Sequence, residues 1–309
     1  MDNRVSIVVT CYNHEPYIKQ CLESILSQSH HNIELIVFND GSTDASDEII
    51  TSVLKDSPFK NTKYFSADNQ GVATVRNQAM KEISGEFLLF VDSDDYLDSD
   101  YVEVLLDTML SEEADIVYCQ LWDFERKVAT LNGNLVYSLD KILNGNFISI
   151  SSLVRVSKIG ATCFDTHLKT IEDYDFWLNL ILNRAAKPYF TSKTKLNYRM
   201  LEDSRNQSEN WEQYYESYFY ILNKYRNIID ERIIEATKHN VMLWVKSYQT
   251  ECEKLEITKQ ELSEQRNQFE NTIHDIYNSK SFKIGSFQVS IVKSFIRIIC
   301  FPLRLFNRN

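Results

Sequence analysis

Four stretches of this 309-residue chain carry side chains that could do chemistry. The first is Asp92-Ser93-Asp94-Asp95, directly after the apolar run Glu86 to Val91 (EFLLFV). Carboxylates at the end of a buried strand sit on a rigid support and suit a hard divalent cation, Mg²⁺ or Mn²⁺. Such an ion keeps positions for phosphate oxygens and stabilises a diphosphate as it leaves. Read alone, the same aspartates serve equally well as a turn and a cap for the next helix. Asp40 lies at the end of a second strand-like segment, Ile33 to Phe38 (IELIVF). Its carboxylate could accept from a base N–H or a ribose hydroxyl, or simply shape the turn before Gly41. Arg76 could pair with phosphate, or be a surface charge on a helix. Glu172-Asp173 opens a helical pattern, where a carboxylate tends to stay ionised. An ionised carboxylate there could take a proton from an attacking hydroxyl, help worth roughly 10²–10⁴-fold. The plainer duty of both acids is to complement the helix dipole.

These residues converge only if the surrounding elements bring them together. Val5 to Thr10 (VSIVVT) reads as a buried strand, followed by the polar loop Cys11 to His14. Ile18, Cys21, Leu22, Ile25 and Leu26 form one apolar helix face, with Pro16 near its first turn. Strands are expected again at Ile33 to Phe38, Lys63 to Phe65, Glu86 to Val91 and Asp115 to Trp122. Helices are expected around Ile49 to Leu54, Gly71 to Lys81, Tyr101 to Met109 and Ile171 to Leu182. Strands alternating with helices predict a mostly parallel, helix-covered sheet. In such sheets the carboxyl ends of the strands share one edge, and ligands bind beyond it. Three loops should therefore meet in space: Thr10 to His14, Asp40 to Asp44, and Asp92 to Asp95. Asp123 to Asn146 has no firm periodicity.

Composition narrows the function classes. A net charge of −11 argues against a nucleic-acid binder. The six cysteines are scattered without a CxxC pair. They read as reduced thiols of a cytoplasmic chain, without a disulfide framework or structural zinc. The N-terminus shows no secretory signal pattern, and no run of about 18 apolar residues is present. From Tyr248 to Ile276 an alternating spacing of four and three (Tyr248, Cys252, Leu255, Lys259, Leu262, Arg266, Phe269, Ile273) fits a short coiled coil and homo-oligomer, an antiparallel helix pair, or one amphipathic helix on its own domain. Ser281 to Asn309 holds five basic side chains and no acidic ones. Its Phe- and Ile-rich pattern fits a peripheral helix at an anionic membrane surface, a packed C-terminal helix or a dimer contact.

Taken in order, the motifs resemble those of family 2 glycosyltransferases with the GT-A fold. Val5 to Asn13 resembles that family's first strand and nucleotide loop, and Phe38-Asn39-Asp40-Gly41-Ser42-Thr43-Asp44 its second signature. Asn69-Gln70-Gly71 through Arg76-Asn77 resembles the third. Phe90 to Asp95 resembles the DxD-type metal motif, and Glu172 to Trp177 the motif holding the catalytic base. The resemblance implies that Thr10, Tyr12 and Asp40 hold the nucleotide, most often uridine. It further implies that Arg76 and Asp92 position base, ribose or diphosphate, that Asp94 ligates the divalent cation, and that Asp173 is the base of an inverting displacement. The acceptor it implies is a glycan or lipid-linked hydroxyl at the membrane's inner face. One departure stands out: Asn197-Tyr198-Arg199 is not followed by the histidine the family often places there, and Arg205 is the nearest substitute. The implied organisation is a catalytic domain over 1–210, a helical extension over 211–280 and a basic tail over 281–309. Two rivals remain, a nucleotidyltransferase and a non-catalytic nucleotide-sugar or glycan-binding subunit. The absence of a Gly-rich basic loop after the first strand counts against the former, and the joint presence of Asp92, Asp94 and Asp173 against the latter.

Overall fold

The computed structural model describes residues 3–130, 135–200 and 211–278. Its first half alternates as the hydrophobic pattern requires: β1 (Val5–Cys11), α1 (Ile18–Leu26), β2 (Ile33–Asp40), α2 (Ser46–Leu54), β3 (Asn61–Ala67), α3 (Val72–Glu82) and β4 (Phe87–Asp92). All eight residues of β2 are buried, as expected for a strand covered on both faces. The strands lie in the order β3-β2-β1-β4, all parallel. Thr10 pairs with Phe38 on one side and Asp92 on the other. That register puts the ends of β1, β2 and β4 on one edge. Pro16 precedes α1 by a full turn residue rather than lying within it, and the amides of Tyr17 and Ile18 both donate to the His14 carbonyl at 2.9 Å.

Beyond β4 the sheet becomes mixed. The elements are β5 (Tyr96–Leu97), α4 (Tyr101–Ser111), β6 (Ile116–Asp123), β7 (Val128–Ala129), α5 (Leu139–Leu143), β8 (Leu153–Arg155), α6 (Val156–Ile159), α7 (Glu172–Arg184) and β9 (Pro188–Tyr198). The three-residue β8 runs antiparallel between β4 and β6, and β9 runs parallel to β6 and antiparallel to β5. The expectation of a mostly parallel sheet therefore describes the first four strands, and a mixed sheet describes the whole. Apolar side chains of β1, β2 and β4 meet those of α1 and α4 in one core. Within α7, Phe176, Trp177 and Leu180 are fully buried.

Two further helices follow, α8 (Trp211–Lys224) and α9 (Glu231–Asn278). The first compact unit runs from Met1 through Lys238 and so continues past residue 210. The reason is a buried polar lock between α7 and α8. Asp175, with no exposure, accepts from Lys224 Nζ at 2.8 Å and from the Tyr225 hydroxyl at 3.0 Å. The second unit begins at His239. Its described part is a single continuous helix, most of whose side chains are exposed. No described helix is long and apolar enough to cross a membrane. The basic tail over 281–309 lies outside the described residues.

Candidate active site

The three loops expected to converge are stitched together at the strand ends. Asn13 adopts a left-handed backbone (φ +53°), which a short polar side chain tolerates. There its Oδ1 accepts from the Thr43 amide at 2.8 Å, while its own amide donates to Ser42 Oγ at 3.0 Å. The His14 amide donates to Ser46 Oγ at 3.1 Å. Asp40 adds a further loop, the one before α3: its buried carboxylate accepts from the amides of Gln70 at 2.8 Å and Gly71 at 3.0 Å. The next residue must be glycine. Gly41 has φ +73°, and a Cβ there would lie 2.6 Å from the backbone nitrogen of Asn69. Asp40 thus fixes the loop leading into α3, a duty the sequence did not disclose. Thr10 is half-buried at the edge, and Tyr12 is 46% exposed beside it.

Arg76 is the hinge pin of the acidic side. It is 2% exposed, not a surface charge, and its guanidinium packs against the rings of both Phe90 and Phe164, at 5.9 and 5.6 Å. One nitrogen donates to Asp92 Oδ1 at 2.7 Å and another to Glu172 Oε1 at 2.9 Å. The end of β4 is thereby tied to the start of α7, about eighty residues further along the chain. The fork geometry of a guanidinium suits this double duty. Ile171, just before the acids, holds φ +53°. A β-branched residue in that region is strained by about 1–3 kcal/mol and is kept there by its surroundings.

Asp173 follows Glu172 and faces a different set of partners. Its Oδ2 accepts from Asn146 Nδ2 at 2.9 Å and its Oδ1 from the Tyr174 amide at 2.8 Å. Burial, reinforced by the Glu172 charge and only partly opposed by Arg76, pushes its carboxyl up to about 7. The helix N-terminus was expected to keep this acid ionised; desolvation outweighs it.

Asp94 lies on the other side of the edge. His14 Nδ1 is 2.7 Å from Ser93 Oγ and 4.0 Å from Asp94 Oδ1. Asp95, buried, accepts from the Arg199 amide at 2.9 Å. Arg199 in turn donates from Nε to the Asp94 carbonyl at 3.1 Å, and to Glu125 at 2.7 Å and Gln20 at 2.9 Å. It is sandwiched between Tyr17 and Phe124, each ring 4.6 Å away. Burial raises the Asp94 carboxyl and the neighbouring Asp92 raises it further, against the pull of His14 and Arg199. Asp95 is raised well above the usual carboxylate range, by burial first and then by Asp94 and Asp92. Crowded, desolvated carboxylates of this kind are the environment a divalent cation relieves. Among the described residues, no three His, Cys, Asp or Glu side chains come together as a complete ligand set. Arg205 lies outside the described residues.

The structure therefore brings Thr10, Tyr12, Asp40, Arg76, Asp92 and Asp94 to one edge, and Arg76 ties Glu172, the neighbour of Asp173, to them. His14, Asn146 and Arg199 join them without having been singled out for these contacts. His14 stood in a loop already expected at the edge. Asn146 lay in the stretch without periodicity, where nothing marked it.

Comparison with known proteins bears on the family and the fold. The model of the family described as "Glycosyl transferase family 2" matches residues 6–161. Putative glycosyltransferase EpsH of Bacillus subtilis is 41% identical over 133 residues, 42% of this chain and 38% of EpsH. The teichoic acid poly(glycerol phosphate) polymerase of Staphylococcus epidermidis is 34% identical over 188 residues, 57% of this chain and 26% of the polymerase. The chain thus spans well under half the length of either relative. In three dimensions it is similar to S. aureus TarS 1-349 in complex with UDP-GlcNAc, with a TM-score of 0.59 at 24% identity over 74% of this chain and 68% of that one. That likeness shows a shared GT-A-type mixed α/β fold. With half of its length matched by the family model and its strand-end motifs gathered at one edge, the chain belongs to glycosyl transferase family 2.

Proposed function

We propose that this protein moves a sugar from a UDP-sugar to a hydroxyl of a glycan or lipid-linked acceptor, with inversion, in the synthesis of a cell-surface polysaccharide. The observation that carries this reading is the Arg76 bridge, which ties the Asp92–Asp95 edge to the helix that holds Asp173. A site with a cation-suited acid cluster at one end and a near-neutral carboxyl at the other fits a single displacement. The acceptor oxygen forms its bond to the anomeric carbon as the bond to the diphosphate breaks. The electron pair leaves with the nucleoside diphosphate, and the acceptor proton passes to Asp173. With its carboxyl near 7, Asp173 is matched to proton transfer at neutral pH. Asn146 and the Tyr174 amide hold its two oxygens in place.

Asp94, assisted by Asp92, would hold a Mn²⁺ or Mg²⁺ ion, and donor phosphate oxygens would complete its shell. Bound there, the ion would offset the negative charge of the leaving diphosphate. Thr10, Tyr12 and Asp40 line the part of the edge suited to the nucleoside, where Asp40 retains acceptor capacity beyond its two amide bonds. TarS was seen with UDP-GlcNAc, which supports a uridine donor, and the teichoic acid polymerase supports a surface-polymer acceptor. In this reading the catalytic domain of 1–210 is followed by a helical extension over 211–280. The basic tail over 281–309 rests on the inner face of the plasma membrane.

The test is slow donor hydrolysis on a panel of UDP-, GDP- and dTDP-sugars with Mn²⁺, Mg²⁺ or EDTA. The expected result is nucleoside diphosphate release from a UDP-sugar, lost in EDTA and in Asp94→Ala. Absence of both release and binding across the panel overturns the proposal.

A further inference from the structure

The described part of the second unit carries an exposed apolar stripe. α9 is 48 residues long, about 70 Å at 1.5 Å per residue. From Glu253 through Thr272 every side chain is exposed. Yet Leu255, Leu262 and Phe269, each 56–57% exposed, recur at intervals of seven. Cys252, Lys259, Arg266 and Ile273 interleave with them at the complementary seven-residue spacing. A 3.5-residue apolar repeat is the seam of a coiled coil. An isolated helix face of this kind draws most of its stability from packing against another element.

We infer that this seam pairs with the same seam of a second copy, and that the two helices run antiparallel. Charge chooses the direction. In a parallel pair each core position faces its own copy, so Lys259 would meet Lys259 and Arg266 would meet Arg266 in the seam. Two like-charge layers of that kind oppose association. In an antiparallel pair each position of one set faces the other set. Aligning Lys259 with Leu262 of the second copy also aligns Arg266 with Leu255 and Cys252 with Phe269. Both basic residues then face leucine. Their long stems can lie along it while the charged ends reach outward. Within its own helix Arg266 pairs with Glu270 and Lys259 with Glu256, each at 2.9 Å on the exposed surface, and in this register Arg266 also comes beside the second copy's Glu256, an opposite charge. The register is closed by a two-fold axis, so the assembly stops at a dimer.

Full-length protein at about 10 μM, measured by sedimentation equilibrium, is expected to have twice the chain mass, and Leu255→Glu/Leu262→Glu the single mass. Both positions lie on exposed helix, and unchanged donor binding and far-ultraviolet circular dichroism verify that the variant is folded. Direction is read by mild oxidation followed by peptide mapping. Phe269→Cys places a thiol opposite Cys252 of the second copy, so the expected bond joins positions 252 and 269. Within one chain these positions are about 25 Å apart along the helix, too far for a disulfide. Oxidised wild-type chain is expected to show no bond between two copies of Cys252. A monomeric wild type, a mass above two chains, or a Cys252-to-Cys252 bond each overturns the inference.

Discussion

At the scale of single residues, Arg76, Asp173 and Asn146 divide positioning from chemistry. Arg76 satisfies two carboxylates, one of them buried, and makes its own burial tolerable only through them. Arg76→Met should remove the guanidinium that pairs with both Glu172 and Asp92 and lower unfolding stability by about 3 kcal/mol, read as a fall in the urea midpoint. Arg76→Lys should recover only part of that, because one ammonium cannot reproduce the fork. Asp173→Asn should slow transfer by roughly 10²–10⁴-fold with little change in donor binding. As the proposed base, Asp173, whose carboxyl is pushed up to about 7, is active only when ionised. The rate of the wild type should therefore fall tenfold per pH unit below about 7 and level off above it. The Asn146 bond favours the ionised form of Asp173. Asn146→Ala should move that limb to higher pH, whereas a purely structural loss would lower the rate at every pH alike.

At the scale of elements, loops and helix pairs are held by a few specific contacts. Gly41→Ala meets both a left-handed backbone and the Asn69 nitrogen. It should cost more than about 1–2 kcal/mol and weaken nucleotide binding, measured by calorimetry. The seam between the segment before α7 and α8 should be acid-labile. Burial alone would raise the Asp165 carboxyl, but bonds from the His167 amide, Lys224 and Tyr220 outweigh it and hold it down to about 2. A lowered carboxyl stabilises the fold above its unfolded value of about 4. That contribution, about 2 kcal/mol, is lost as pH falls from about 4 to about 2. Urea midpoints followed by tryptophan fluorescence should show the loss in wild type and a smaller one in Asp165→Asn. At this scale the sequence was uneven evidence. Buried strands such as β4, Phe87 to Val91 without a polar residue, announce themselves as unbroken apolar runs. The three-residue β8 is too short to show a period, and β9, with exposed and buried positions in irregular order, does not alternate.

At the scale of the whole molecule, charge is segregated: the chain is strongly acidic, yet its last 29 residues carry only basic charges. About 1 kcal/mol per basic residue near an anionic surface gives at most roughly 5 kcal/mol, enough for reversible attachment. Chain ending before Ser281 should cease to float with anionic vesicles, while the full chain floats and is released by salt. What the sequence alone determined is the alternation of the first four strands and the edge at which their polar ends meet. Both follow from periodicity and from the fixed handedness of βαβ connections. It also marked the acids, because carboxylates directly after apolar strands are unusual. Only the tertiary structure decided what those acids do. Arg76 and Glu172 stand 96 residues apart, and no local pattern encodes that the Arg76 guanidinium will be buried against both Glu172 and Asp92. Likewise the Asp173 carboxyl is set by how much water the folded chain removes around it. A helix N-terminus favours its charged form, desolvation disfavours it, and which effect prevails depends on packing from elements distant in sequence.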